Sequence, residues 1–271
     1  MKIAVVTVAA GRTHHLRNQL DTVARSTRIP DAHIVVAMGD REVAATVGHR
    51  ATTVFLPAAP PLPLAAARNR GARTALDTGA DLLIFLDVDC LPDPNMIDRY
   101  QRAAAVVGDT AALLCGPVTY LRPPPATGYD LEALDRSRDP HPARPSPPDH
   151  ALCDGTDFDL FWSLSFAVTT ETWCAIRGFD PGYRGYGAED TDFAYRAAAV
   201  GARLVWVGGA HAYHQYHPVS DPPIEHLPDI LVNARLFHRR WGVWPMRGWL
   251  HGFAAAGLIE YVGGETGWAA Q

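Results

Sequence analysis

Lysine is almost missing from this chain: Lys2 is the only one, and arginine carries nearly all the positive charge. With a formal net charge of -5, no basic stripe is available to neutralise a phosphate backbone, which excludes nucleic acid as a partner. Cysteine is scarce too. Cys90, Cys115, Cys153 and Cys174 stand far apart with no CxxC spacing, which argues against a disulfide framework and for a reduced setting. No apolar stretch is long enough to span a bilayer. The opening run from Ile3 to Ala10 is too short for a signal-peptide core followed by a cleavage site, and reads as a first strand. These absences lead to the expectation of a cytoplasmic protein. At 271 residues and 48% hydrophobic content, it suits one α/β domain with or without an appendage.

What the chain does have is the apolar run Leu82-Leu83-Ile84-Phe85-Leu86, opened by Gly79 and delivering Asp87-Val88-Asp89. Its lack of polar alternation reads as a strand buried on both faces in a parallel sheet, whose carboxyl end points at a ligand crevice. If extended geometry persists, Asp87 and Asp89 project to one side and repel unless a cation or nucleotide sits between them. The plain alternative is strand-end decoration, with Asp93 capping a helix that begins near Pro94.

Around that strand the elements alternate. Ile3 to Val8 is a strand entering the turn Ala9-Ala10-Gly11-Arg12, then a helix with Leu16, Leu20 and Val23 on one face. Strands at 33–38 and 53–56, a helix at 64–76, a helix from Pro94 and a strand at 111–115 follow. Such alternation means a parallel sheet with helices on both faces. Eight prolines then make residues 122–150 a long loop, expected to be a cover that orders over the cleft when substrate binds. A strand at 163–168, a short helix at 170–176 and a last strand at 203–207 complete the pattern.

Two clusters in the second half carry chemistry. Gly185-Tyr186-Gly187-Ala188 precede Glu189, Asp190 and Asp192 on a helix whose inward residues are Phe193, Ala197 and Val200. Acids there complement the helix dipole, and Asp192 is spaced to pair with Arg196. Three acids exceed what capping requires, and the glycines allow close backbone approach while Tyr183 and Tyr186 offer faces for sugar stacking. His211, His214 and His217 follow the last strand, where one of them can meet Asp89. A carboxylate, an imidazole and diphosphate oxygens form a mixed set that suits Mn²⁺, or less well Mg²⁺, better than structural zinc.

The order Ala65-Ala66-Ala67-Arg68-Asn69-Arg70-Gly71, Phe85-Leu86-Asp87-Val88-Asp89, Gly178-Phe179-Asp180, Gly187-Ala188-Glu189-Asp190-Thr191-Asp192 and Tyr213-His214-Gln215 resembles family 2 glycosyltransferases of the GT-A fold. The Gly-x-Glu-Asp-x-Asp segment is also similar to the β-1,4-galactosyltransferase and chondroitin-polymerase type. The resemblance implies an inverting enzyme that moves a sugar from a nucleotide diphosphate donor, a UDP-sugar, to a hydroxyl of a saccharide, glycoside or lipid-linked acceptor. It implies donor contacts at Ala9, Gly11, Arg12, Asp40, Arg68, Asp87 and Val88, and a Mn²⁺ or Mg²⁺ ion on Asp89 and His214. Asp190 is then the general base, with Glu189, Tyr186, Gly187 and Trp162 at the acceptor. The turn Ala9-Ala10-Gly11-Arg12 and the strand end Met38-Gly39-Asp40 depart from the family's usual Pro-x-Tyr/Phe-Asn and paired acids. Two other readings use the same features: a non-catalytic carbohydrate-binding protein on this fold, or a sugar nucleotidyltransferase.

The expected organisation is a GT-A domain over 1–232, with a donor half to 118 and an acceptor half from 119, then a helical extension over 233–271. In that tail Trp241, Trp244 and Trp249 alternate with Arg235, Arg239, Arg240 and Arg247. They either pack on the sheet and border the acceptor cleft or lie at the inner membrane surface. Gly242, Pro245, Gly248 and Gly252 are expected to interrupt any long helix.

Overall fold

The computed structural model describes residues 1–264 and 266–271. Its first half alternates as the apolar runs predict: β1 (Ile3–Ala9), α1 (Thr13–Ala24), β2 (Ala32–Met38), α2 (Arg41–Val47), β3 (Thr52–Leu56), α3 (Leu64–Asp77) and β4 (Leu82–Leu86). Every residue of β1 and β4 is buried, and β3, β2, β1 and β4 lie parallel. Leu16, Leu20 and Val23 are buried as their spacing requires. The α2 helix is too short for a periodic signal, with only Val43 and Val47 buried; Asp40 caps it by accepting from Glu42 N at 2.8 Å.

The second half is less regular. It contains β5 (Cys90–Pro92), α4 (Met96–Val107), β6 (Ala112–Cys115), β7 (Val118–Tyr120), β8 (Leu152–Gly155), β9 (Ser165–Thr169), α5 (Thr170–Ile176), α6 (Glu189–Ala199), β10 (Arg203–Val207) and β11 (Ala212–His214). The main sheet runs β3-β2-β1-β4-β9-β6-β10-β8, and a small sheet runs β5-β11-β7. Here β9 enters antiparallel to both β4 and β6, and β8 antiparallel to β10, so the sheet is mostly rather than wholly parallel. A run buried on both faces, such as Ser165 to Val168, says nothing about strand direction.

One face of the sheet packs an aromatic core. Phe85 of β4 stacks on Phe166 at 4.7 Å, and Phe179 stacks on Phe193 at 4.3 Å. Each fully buried ring contributes about 1.5–3 kcal/mol. Gly71 lets α3 lie directly on β1, since a Cβ there would stand 2.4 Å from Val6 Cγ1. The expected inward residues of α6 divide: Phe193 and Ala197 are buried, whereas Val200 lies beyond the helix end at 47% exposure.

The proline-rich segment makes contacts with the body. Leu134 joins Leu91, Leu121 and Tyr213 in a small cluster, Arg138 donates to Asp93 at 2.6 Å, and Asp149 pairs with Arg99 at 2.6 Å. Arg144 is buried between the rings of Trp162 and Trp206, at 5.0 and 4.9 Å. Proline content forbids a ladder but does not reveal side-chain partners.

The tail also departs from expectation. The boundary at 232/233 falls inside α7 (Leu227–Trp241), and α8 (Arg247–Ala255) includes Gly248 and Gly252 without interruption. Gly242 does end α7, in the left-handed conformation at φ 71°. A hairpin of β12 (Ile259–Gly263) and β13 (Gly267–Ala270) follows, where only helix was expected. Ile230, Leu231 and Ala234 pack with Leu250 and Phe253, and Trp244 and Trp249 lie against this cluster. Trp241 packs on Tyr195 and Phe237, so these tryptophans serve packing. Among the described residues no helix is long and apolar enough to cross a membrane.

Candidate active site

The two acids after β4 face different protein side chains. The chain turns at once, Cys90 N donating to Asp87 O at 2.8 Å, and the carboxylates find separate partners. Asp87 accepts from Arg68 at 3.0 Å, while Asp89 faces His214, His217 and Arg12. The expectation that both project to one side fails because the extended geometry stops at Leu86.

Asp89 is 7% exposed, and its Oδ1 has no hydrogen-bond partner. His214 Nε2 stands 3.5 Å from Oδ1, and His217 Nε2 stands 3.6 Å from Oδ2. Pairing of β11 with β5 sets His214 beside this acid, and Gln215 N donates to Asp89 O at 2.7 Å. One ligand atom from each of the three residues lies within 4.8 Å of the others. A buried oxygen without a donor beside two imidazole nitrogens fits a divalent cation, and O/N donors suit Mn²⁺. Burial lowers the His214 pKa, keeping the ring neutral and able to ligate at pH 7. His214 was the choice among the three candidate histidines; His217 joins it. His211 is excluded from the group, since it is 2% exposed and engaged with Thr119 Oγ1 at 2.8 Å.

The residues expected on the nucleotide side, Ala9, Gly11, Arg12 and Asp40, gather at the carboxyl ends of β1 and β2. Gly11 N donates to Asp40 Oδ2 at 2.7 Å, and this bond, with the cap to Glu42, holds the Asp40 carboxyl below its usual range. Arg12 opens α1 in the left-handed conformation at φ 53° and pairs with Asp89. Ala9 and Val88 turn their side chains into a cluster with Leu16, Leu20 and Val43, leaving only their backbone to face a ligand.

Across the crevice α6 begins after Gly187 and Ala188, both with positive φ. Glu189 is 6% exposed; its Oε1 accepts from Arg68 at 3.0 Å and its Oε2 is buried without a partner. Arg68 thus spans the two acid groups, a role its spacing did not suggest. Asp190 is half-buried and accepts from Thr191 N at 2.8 Å. Desolvation, reinforced by the Glu189 carboxylate, pushes its pKa up to about 7.

Asp192 does not pair with Arg196. It is fully buried and accepts from Arg240 at 2.6 Å, Trp241 Nε1 at 2.9 Å and Tyr183 Oη at 3.3 Å. Arg196 instead donates to the carbonyls of Ile176 and Gly178. Tyr183, 1% exposed, belongs to this core and offers no face for a sugar. Tyr186 stacks on His226 at 4.4 Å, and its hydroxyl pKa is raised by burial and by Asp190 and Glu189. Trp162 meets His141 at 5.0 Å, and through Tyr120 that stack reaches His214.

Acids at the end of a central strand meet histidines of a small second sheet and, through Arg68, an acid at a helix start. Among solved structures, that of S. aureus TarS 1-349 matches with a TM-score of 0.57 and 13% identity, over 87% of this chain and 64% of that one. GalNAc-T7, solved with UDP, GalNAc and Mn²⁺, matches with a TM-score of 0.55 and 15% identity, over 80% and 43%. This is the GT-A fold. Within the GT-A domain, residues 156–218 match the family described as the N-terminal domain of galactosyltransferase, a stretch that holds Glu189, Asp190, His214 and His217. A validoxylamine A glucosyltransferase of Streptomyces hygroscopicus subsp. limoneus is 28% identical over 236 residues, covering 73% of this chain. Its counterpart from subsp. jinggangensis is 30% identical over 168 residues, covering 51%. The chain spans 48% and 36% of these two relatives' lengths.

Proposed function

We propose that the chain is an inverting, divalent-metal-dependent glycosyltransferase using a UDP-sugar, with Asp190 as general base. The observation that carries this reading is the separation of roles. Asp89, His214 and His217 form a group able to hold a cation at the strand ends, while Asp190, with its pKa near 7, stands at a helix start. Asp190 takes the proton of an acceptor hydroxyl; that oxygen bonds to the anomeric carbon as the bond from this carbon to the diphosphate breaks, releasing UDP. A divalent cation bound at Asp89, His214 and His217 supplies neutralisation of the departing diphosphate. Glu189, through its unpartnered Oε2, orients the acceptor, and Gly187 and Tyr186 line its place. Mn²⁺ in the GalNAc-T7 structure, UDP-GlcNAc in a TarS complex and the glucosyltransferase relatives support the choice of metal and donor class.

The test is thermal stabilisation by Mn²⁺ with a panel of nucleotide-sugars, followed by NMR of the product anomer. UDP-sugars are expected to stabilise only when the metal is present, with inversion at the anomeric carbon. Asp89→Ala and His217→Ala should each remove the metal-dependent part of that stabilisation. Metal dependence that survives both changes places the cation elsewhere.

A further inference from the structure

Arg68 is 4% exposed, and its two terminal nitrogens serve two different carboxylates. One donates to Asp87 Oδ1 and the other to Glu189 Oε1, each at 3.0 Å. The guanidinium lies over the Phe179 ring at 5.3 Å, and that ring is stacked on Phe193 of α6. Close packing of α3 on β1 at Gly71 fixes the helix that carries it.

We propose that Arg68 is a positioning residue joining the donor-side Asp87 to the acceptor-side Glu189, so that a change at one carboxylate is felt at the other. The proposal rests on the donor and acceptor reading given above. One positive charge, on a buried guanidinium, is shared by two carboxylates, so what one carboxylate gains of it the other loses. A planar fork can serve both at once, whereas an ammonium is a single point charge. A donor that engages Asp87 therefore leaves more of the guanidinium's hold on Glu189, whose free Oε2 is directed at the acceptor.

UDP with Mn²⁺, titrated calorimetrically into the full chain, tests this. Glu189→Gln should weaken UDP binding at least about threefold with Arg68 present, and by less than about twofold in an Arg68→Met background, as expected for residues coupled through a third. If Arg68→Met fails to fold by circular dichroism, Arg68→Lys takes its place with the same expectation. UDP binding with an equal Glu189→Gln effect in both backgrounds overturns the coupling and leaves the donor reading intact. No UDP binding by the unsubstituted chain overturns the donor reading and the coupling with it.

Discussion

Asp190→Asn should lower transfer at least about a hundredfold, the lower end of what a general base contributes, while UDP and Mn²⁺ still bind. The amide keeps the shape of the side chain and its bond from Thr191 N, but cannot accept the acceptor's proton. The acid works only when ionised, and its pKa lies near 7, so kcat/KM of the unsubstituted protein should rise with pH to about 7 and then level. Stability should move oppositely. A carboxyl whose folded pKa is raised binds its proton more tightly when folded; the stability it contributes is full below the unfolded value near 3.8 and is lost as pH rises through about 7. Asp190→Asn should therefore be no less stable than the parent at pH 8, which separates lost chemistry from lost folding. Near-normal turnover in this variant, or a product that retains the donor's anomeric configuration, would sink the mechanism.

Asp192→Ala should act through folding instead. Its carboxylate is fully buried and serves Arg240, Trp241 Nε1 and Tyr183 Oη, so truncation leaves Trp241 and Tyr183 without this acceptor, leaves Arg240 with Asp180 alone, and opens a cavity. Breaking a buried pair on one side typically costs about 3–5 kcal/mol, which for a chain of this size lowers Tm on the order of 10 °C. The loss also frees α6 from the last turn of α7, so transfer should fall with the folded fraction when assayed near the new Tm. A Tm within about 2 °C of the parent, where one kcal/mol shifts a domain of this size by about 2–4 °C, would show that α7 does not hold α6 in place.

The sequence by itself determined which segments are buried and where the chemistry begins. Short apolar runs bounded by turn signals read as central strands, as Ile3 to Val8 and Leu82 to Leu86 are, and acids placed after such a run lie at the strand's carboxyl end. The resemblance added Asp89, His214, Glu189 and Asp190 to one site; in the structure Asp89 lies beside His214, and Arg68 links Asp87 to Glu189. Spacing alone misjudged several pairings that depend on the third dimension. Asp192 is four residues from Arg196 yet is reached by Arg240, 48 positions away, because a fully buried carboxylate bonds whatever donor the packing brings to it. Asp87 and Asp89 part company because a turn, invisible in residue types alone, aims one at Arg68 and the other at the histidines. Likewise the direction of β9, the continuity of α7 across position 232 and the burial of Arg144 between two tryptophans were decided by tertiary packing. Local propensity is blind to such features, since each arises from groups far apart in the chain competing for one interior.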